Sequence, residues 1–343
     1  MSEAARERHA QAATHVPPLF GDPREEYEAA RWRIAYTPLP RRAIVSVRGP
    51  DAISFLQGML TQDVAGMRPG ESRLACLLER KGHLLAPLRL LRLEDGAHLV
   101  LDSSTAAGVL AILHQFHFLE SLAIDRREDQ RLLLLTGPGS DRVPPARGVE
   151  FWKVREVGPN DRLLLLSEGN GLEEALAQAD AVPIGSETLE RLRIEAGRPL
   201  FGKDVDGALF PMEAGLEEAV HYQKGCYVGQ ETIARIHFQG KVHRALLGIR
   251  FAAGSRFTAA SAFDRREGHG EGPEVFLAES GSEPLGRLTS FAPSRTGGDD
   301  LGLAVLRIDA PLAGREVTAG GVTGTVEALP FAESGLPRRA EAE

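Results

Sequence analysis

The 343-residue sequence predicts an α+β protein in which a mixed helix-and-strand region is followed by a small all-β barrel. Up to about residue 167, short apolar runs of strand character interleave with stretches of helical periodicity. After about Gly240 the helical pattern stops, and short strand candidates follow one another between Gly-, Ser-, Pro- and Asp-rich turns. The chain is also longer than one ordinary core fills, so about two or three domains are expected. The expected boundaries are a flexible N-terminal tail over 1–34, an α+β region of two subdomains over 35–240, the barrel over 241–331 and a disordered end over 332–343.

Each element has a local reason. Ala43 to Val47 alternates as a strand does and runs into Gly49-Pro50-Asp51, a turn with a helix-start signal. Ala52, Phe55, Leu56, Met59 and Leu60 then form the stripe of an amphipathic helix. Leu74 to Leu78, Leu84 to Leu93, His98 to Leu101, Arg131 to Thr136 and Leu163 to Leu166 read as strands, and Thr105 to Leu119 as helix. A second clear helix runs from about Ser186, a fitting N-cap, to Ala196, with Gly197 and Pro199 as its stop. Arg191 and Glu195 are spaced for a weak helical ion pair. The barrel strands are expected at Ala245 to Phe251, Glu274 to Ala278, Gly286 to Phe291, Leu301 to Ile308, Arg315 to Ala319 and Val322 to Leu329. Asp264 to Pro273 and Ser294 to Asp300 have little to bury and read as loops.

Composition excludes several classes. Forty basic against 48 acidic side chains give a formal charge of −8, which argues against a bulk nucleic-acid binder. Two cysteines, Cys76 and Cys226, cannot build a secreted disulfide framework, so a cytoplasmic setting is expected. They also fall short of the four thiolates that usually hold an iron–sulfur cluster. No apolar run approaches the ~18 residues of a membrane-spanning helix, and no membrane partner is expected. His114 and His117 share a helical face without a third ligand, so no metal site is assigned.

The chemistry is expected in Lys224-Gly225-Cys226-Tyr227-Val228-Gly229-Gln230-Glu231. A cysteine that only fills a core sits in an apolar run, whereas here its neighbours are polar and flanked by glycines. Two readings fit. In one, the string is a tight inter-domain turn and the thiol is incidental. In the other, Cys226 is a partly exposed thiol whose ionised form is favoured by the Lys224 ammonium, with Gln230 and Glu231 contacting a ligand or capping a helix. Thr232 to Phe238 suits strand and helix equally. Upstream, Glu213 lies among apolar residues just after Pro211, where a carboxylate is costly unless it meets paired donors. A salt-bridged or solvated glutamate satisfies that requirement, and so does a pterin ring, whose N–H and exocyclic amine point the same way.

These residues carry a resemblance. Lys224 to Glu231 is similar to the signature of the YgfZ family, folate-binding proteins related to the T-protein (aminomethyltransferase) of the glycine cleavage system. Phe55-Leu56-Gln57-Gly58, Thr61-Gln62-Asp63-Val64, Arg193-Ile194-Glu195-Ala196-Gly197-Arg198-Pro199 and Leu301-Gly302-Leu303-Ala304 fit the same family, over about residues 35 to 330 and in order. The resemblance implies mixed α+β domains and a C-terminal barrel around a central folate pocket. It implies tetrahydrofolate or a one-carbon derivative as the ligand, and iron–sulfur enzymes or their assembly proteins as partners. By position, the resemblance implies that Glu213 is the pterin-anchoring carboxylate, that Cys226 and Lys224 are the catalytic pair, and that Tyr227, Gln230, Glu231 and Arg235 join Glu213 as ligand-binding residues. One departure separates the two branches. Where aminomethyltransferases carry an acidic pair with the catalytic aspartate, this chain has Gly82-His83-Leu84-Leu85-Ala86-Pro87-Leu88. Ala86 and Pro87 can neither move a proton nor stabilise a cation, so aminomethyl transfer is the alternative reading and not the first.

Overall fold

Alternation in the sequence decides which face of each strand meets a helix. In β2 (Arg42–Arg48), Ala43, Val45 and Val47 enter a core shared with α2 (Ala52–Met59) and α3 (Ala106–Phe116). The strands β3 (Ser72–Leu78), β4 (Leu84–Arg92), β5 (Gly96–Asp102) and β6 (Ala123–Arg126) complete this sheet in the order β3-β4-β5-β2-β6. Its opposite face is buried too, through Ile44, Ser46, Leu91 and His98. Burial on both faces is why β4 carries a nearly continuous apolar run. The structure is a computed structural model, and it describes residues 16–168, 170–240, 242–255, 272–279, 283–294 and 297–331.

A second five-stranded sheet has the order β10-β1-β7-β9-β8. It is built from β1 (Ala35–Pro38), β7 (Arg131–Thr136), β8 (Val149–Lys153), β9 (Arg162–Leu166) and β10 (Val182–Pro183). Leu133, Leu135, Leu164 and Leu166 pack on Leu172, Ala175 and Leu176 of α4 (Leu172–Gln178).

The tail expected over 1–34 is corrected at its far end. Pro23–Trp32 forms α1, capped by Asp22, whose side chain accepts from the backbone N–H of Arg24 and Glu25 at 2.9 and 3.0 Å. Tyr27, Ala29 and Ala30 are buried. Glu26 is buried as well, because its carboxylate accepts from the N–H groups of Phe20, Gly21 and Gly185 and from the Thr188 hydroxyl. Four donors remove the cost of burying this carboxylate. Residues 1–15, most of the loop expected from Asp264 to Pro273 and the end beyond Glu333 lie outside the described residues.

Two helix starts differ in detail from expectation. Asp51 precedes α2 but makes no side-chain cap; its carboxylate accepts from the Ser121 N–H at 2.7 Å. Ser186 opens α5 (Ser186–Glu195), and its hydroxyl donates to the Pro17 carbonyl. Gly197, at φ +66°, follows the helix in the left-handed conformation expected of its stop.

The described residues divide into two units. The first runs to Leu189 and adds Asp206–Met212 and the stretch from Leu216 to residue 240. The second takes Glu190–Val205, Glu213–Gly215 and the chain from Val242 on. Its centre is a closed antiparallel barrel in the order β11-β14-β13-β12-β15-β16. The strands are β11 (Arg244–Phe251), β12 (Glu274–Leu277), β13 (Pro284–Ala292), β14 (Asp300–Arg307), β15 (Glu316–Ala319) and β16 (Val322–Glu327). Ile249, Phe251, Val275, Leu288, Ala304, Leu306, Val317 and Val326 fill it. The α+β expectation with a C-terminal barrel therefore holds.

Candidate functional site

The Lys224–Glu231 string lies in the first unit and leads into α6 (Gln230–Gln239). Its first anchor is Lys224, whose Nζ donates to the carbonyls of Gln57 and of Leu60, the latter at 2.6 Å. These carbonyls close α2, where unpaired acceptors and the negative end of the helix dipole suit a cation. The ammonium also stands 4.9 Å from the Tyr227 ring centroid. Burial pushes it down to about 8, against the Asp63 charge, which favours the protonated form.

The second anchor is the Val228 N–H, donating to the Gly58 carbonyl at 3.2 Å. The third is Gly229, at φ +84°, where an added Cβ would lie 2.7 Å from the Glu79 carbonyl oxygen. Between these points Gly225 and Cys226 are exposed. Among the described residues, none hydrogen-bonds to the Cys226 thiol.

Side-chain hydrogen bonds brace the frame under the loop. Gln57 accepts from the N–H groups of Val64 and Ala65 and donates to Asp63 at 3.0 Å. Burial would raise the Asp63 carboxyl, but hydrogen bonds from Gln57 and Gly66 and the charges of His221 and Arg73 hold it below the usual range. The Thr61 hydroxyl donates to the Ala219 carbonyl and accepts from the Cys76 N–H, while Gln62 donates to the Leu74 and Glu218 carbonyls. Phe55–Gly58 and Thr61–Val64 thus act as the mount for the cysteine loop. Their role was not legible beforehand, since the contacts use backbone carbonyls that any sequence supplies.

The remaining first-unit candidates separate. Tyr227 is buried, and its N–H donates to the Gln230 side chain at 3.3 Å. Thr232 to Phe238 is helical, and Glu231 and Arg235 are exposed on it. Ala86 is fully buried opposite Leu77, and Pro87 faces Cys76 across β3 and β4.

Glu213 belongs to the second unit and is 3% exposed. Its carboxylate meets the Arg244 guanidinium, Oε2 to Nη2 at 3.2 Å and Oε1 to Nε at 3.5 Å. The two are 31 positions apart, and nothing in the sequence flags Arg244 as the partner. The Arg193–Pro199 stretch in the same unit centres on Arg193. Its guanidinium donates to both Glu190 carboxylate oxygens at 2.7 Å, to Asp204 at 2.7 Å and to the Ser290 hydroxyl at 2.6 Å. A bulge in β13 turns Thr289 and Ser290 together onto Asp204. Burial alone would raise the Glu190 carboxyl, yet Arg193 and Lys203 hold it at about 2. The expected Arg191–Glu195 pair forms at 2.6 Å and is largely buried.

Among the described residues no cluster of three or more His, Cys, Asp or Glu side chains could hold a metal, and no helix is long and apolar enough to cross a membrane.

Residues 14–144 match the GCVT N-terminal domain family. An aminomethyltransferase of Streptomyces coelicolor is 26% identical over 357 residues, covering 93% of this chain and 92% of that one. The tRNA-modifying protein YgfZ of Escherichia coli O157:H7 is 29% identical over 243 residues, 65% of this chain and 74% of its own. The crystal structure of the glycine cleavage aminomethyltransferase T from Bartonella henselae superposes with a TM-score of 0.78 at 22% identity, over 96% of this chain and 97% of that one. The GCVT N-terminal match, this fold and these relatives make the chain similar both to YgfZ proteins and to the aminomethyltransferases of glycine cleavage.

Proposed function

We propose that this chain binds tetrahydrofolate or a one-carbon derivative and supports iron–sulfur enzymes through the thiol of Cys226. The GCVT-type domain and the YgfZ relatives support folate binding in general. Glu213 is the proposed pterin anchor. A buried carboxylate is a group that can accept from a ring N–H and its neighbouring amine together.

The observation that carries the proposal is the exposed Cys226 at the tip of a loop whose flanks are fixed to α2. A thiol placed to meet a sulfur, iron or one-carbon species needs such access. The two cysteines are free, in keeping with a reducing cytoplasmic setting. The relatives' name as tRNA-modifying proteins, beside a charge of −8 here, fits support of a modifying enzyme better than retention of RNA.

Calorimetric titration of the purified protein with reduced folate tests the ligand. E213A is expected to weaken binding by about 2 kcal/mol, roughly thirtyfold, and an unchanged dissociation constant removes the anchor. C226S is expected to fail in restoring iron–sulfur enzyme activity to cells that lack the protein. Aminomethyl transfer is the second reading, favoured by relatives of that name that span 93% of the chain. Ala86 and Pro87, where those enzymes need an acid, weigh against it. Robust turnover with folate and an aminomethylated lipoyl carrier would reverse the order of the two.

A further inference from the structure

We propose that Lys224 is a positioning residue: its ammonium clamps the loop to the carbonyl end of α2 and so presents Cys226, instead of ionising the thiol as a neighbouring charge. The inference rests on reading Cys226 as the reactive group. Lys224 has three N–H donors, and two are given to the Gln57 and Leu60 carbonyls while the Tyr227 ring faces the ammonium. The charge that favours its protonated form is that of Asp63. Lys224 is buried, whereas Cys226 two residues on is exposed.

Packing does not hold the tip, because a Cβ added to Gly225 would meet nothing within 4 Å. What holds it is the pair of attachments on either side, Lys224 and the Val228 N–H. Both land on the same four residues, Gln57 to Leu60. Removing the ammonium strips one attachment and leaves two helix-end carbonyls without their donor.

The full-length protein carries the test. Alkylation of Cys226 by iodoacetamide is followed against pH in the wild type, K224M and K224R, with C226S giving the background from Cys76. Amide exchange is measured at Val228 in the same proteins. For K224M the midpoint of the alkylation profile is expected to stay within about 0.3 pH units of wild type. Val228 exchange should be roughly tenfold faster. K224R, which keeps a cation of similar reach, should retain slow exchange. In K224A, added ethylammonium should recover about threefold of the lost protection. A midpoint raised by about one unit or more overturns the proposal, because the charge would then be activating the thiol. Unchanged Val228 exchange overturns it as well. Folate titration of the same variants reads the Glu213 anchor independently, so the two failures are distinguishable.

Discussion

Lys224 and Arg193 are both buried cations in stretches that resemble the same family, and their surroundings move them in opposite directions. Arg193 faces two carboxylates and a hydroxyl, and despite burial its proton is held more tightly than in water. Lys224 faces neutral carbonyls, and burial lowers it to about 8. Carboxylates repay the cost of desolvating a cation, whereas carbonyl dipoles repay only part. The fully compensated cation joins α5 to the barrel strand β13 within the second unit. The under-compensated one stands beside the candidate chemistry, where a costly charge is retained for what it holds in place.

The strongest way to break this contrast is to remove each cation. R193A leaves Glu190 with Lys203 alone and Asp204 without a cation, and should lose about 3–5 kcal/mol in urea denaturation. R193K should recover only part, because one ammonium cannot span Glu190, Asp204, Ser290 and the Arg198 carbonyl together. K224M discards a desolvated charge along with its hydrogen bonds and should cost less, about 1–2 kcal/mol. Equal losses would erase the distinction.

A third buried group sharpens it. His98 lies opposite Ser46 on paired strands, and neither its Nδ1 nor the Ser46 hydroxyl has a partner among the described residues. Burial, with help from Arg127 and Arg48, lowers it from an ordinary 6.5 to about 4. The unfolded chain therefore takes up this proton at higher pH than the native one. Stability should fall by up to about 3 kcal/mol as pH drops from 6.5 to 4, and level off below. Urea melts across that range check it, and H98Q should flatten this part of the slope.

The two glycines of the cysteine loop give the cleanest contrast, and G225A the smallest effect. G229A places a Cβ 2.7 Å from a backbone oxygen at positive φ and should cost about 1–3 kcal/mol. G225A meets open space, and its melting free energy should change by less than about 0.5 kcal/mol.

Much of the fold was legible because it rests on periodicity. Ala43 to Val47, the Phe55–Met59 stripe and the barrel strands announce themselves through which side chains alternate. α1 did not, since charge masked the Asp22-Pro23 start and nothing local reveals that Glu26 finds donors at Gly185 and Thr188. Thr232 to Phe238 stayed open because Thr232, Ile233, Ile236 and Phe238 suit a strand. The structure makes it helical between two left-handed glycines, Gly229 and Gly240. Residue types pointed to Cys226 in the first unit and to Glu213 in the second. The groups that position them are carbonyls at Gln57 and Leu60, more than 160 residues away, and Arg244. Backbone acceptors carry no letter of their own, and a partner 31 positions off carries no spacing signal, which is why these groups had to be seen.

Gly82 and Gly229 stand back to back, Cβ-less, both in the left-handed region; a Cβ on Gly229 would come within 3.1 Å of the Gly82 Cα. Anyone grafting the cysteine segment between relatives inherits this constraint. The β3–β4 hairpin has to be transplanted with it, as the lock travels with its key.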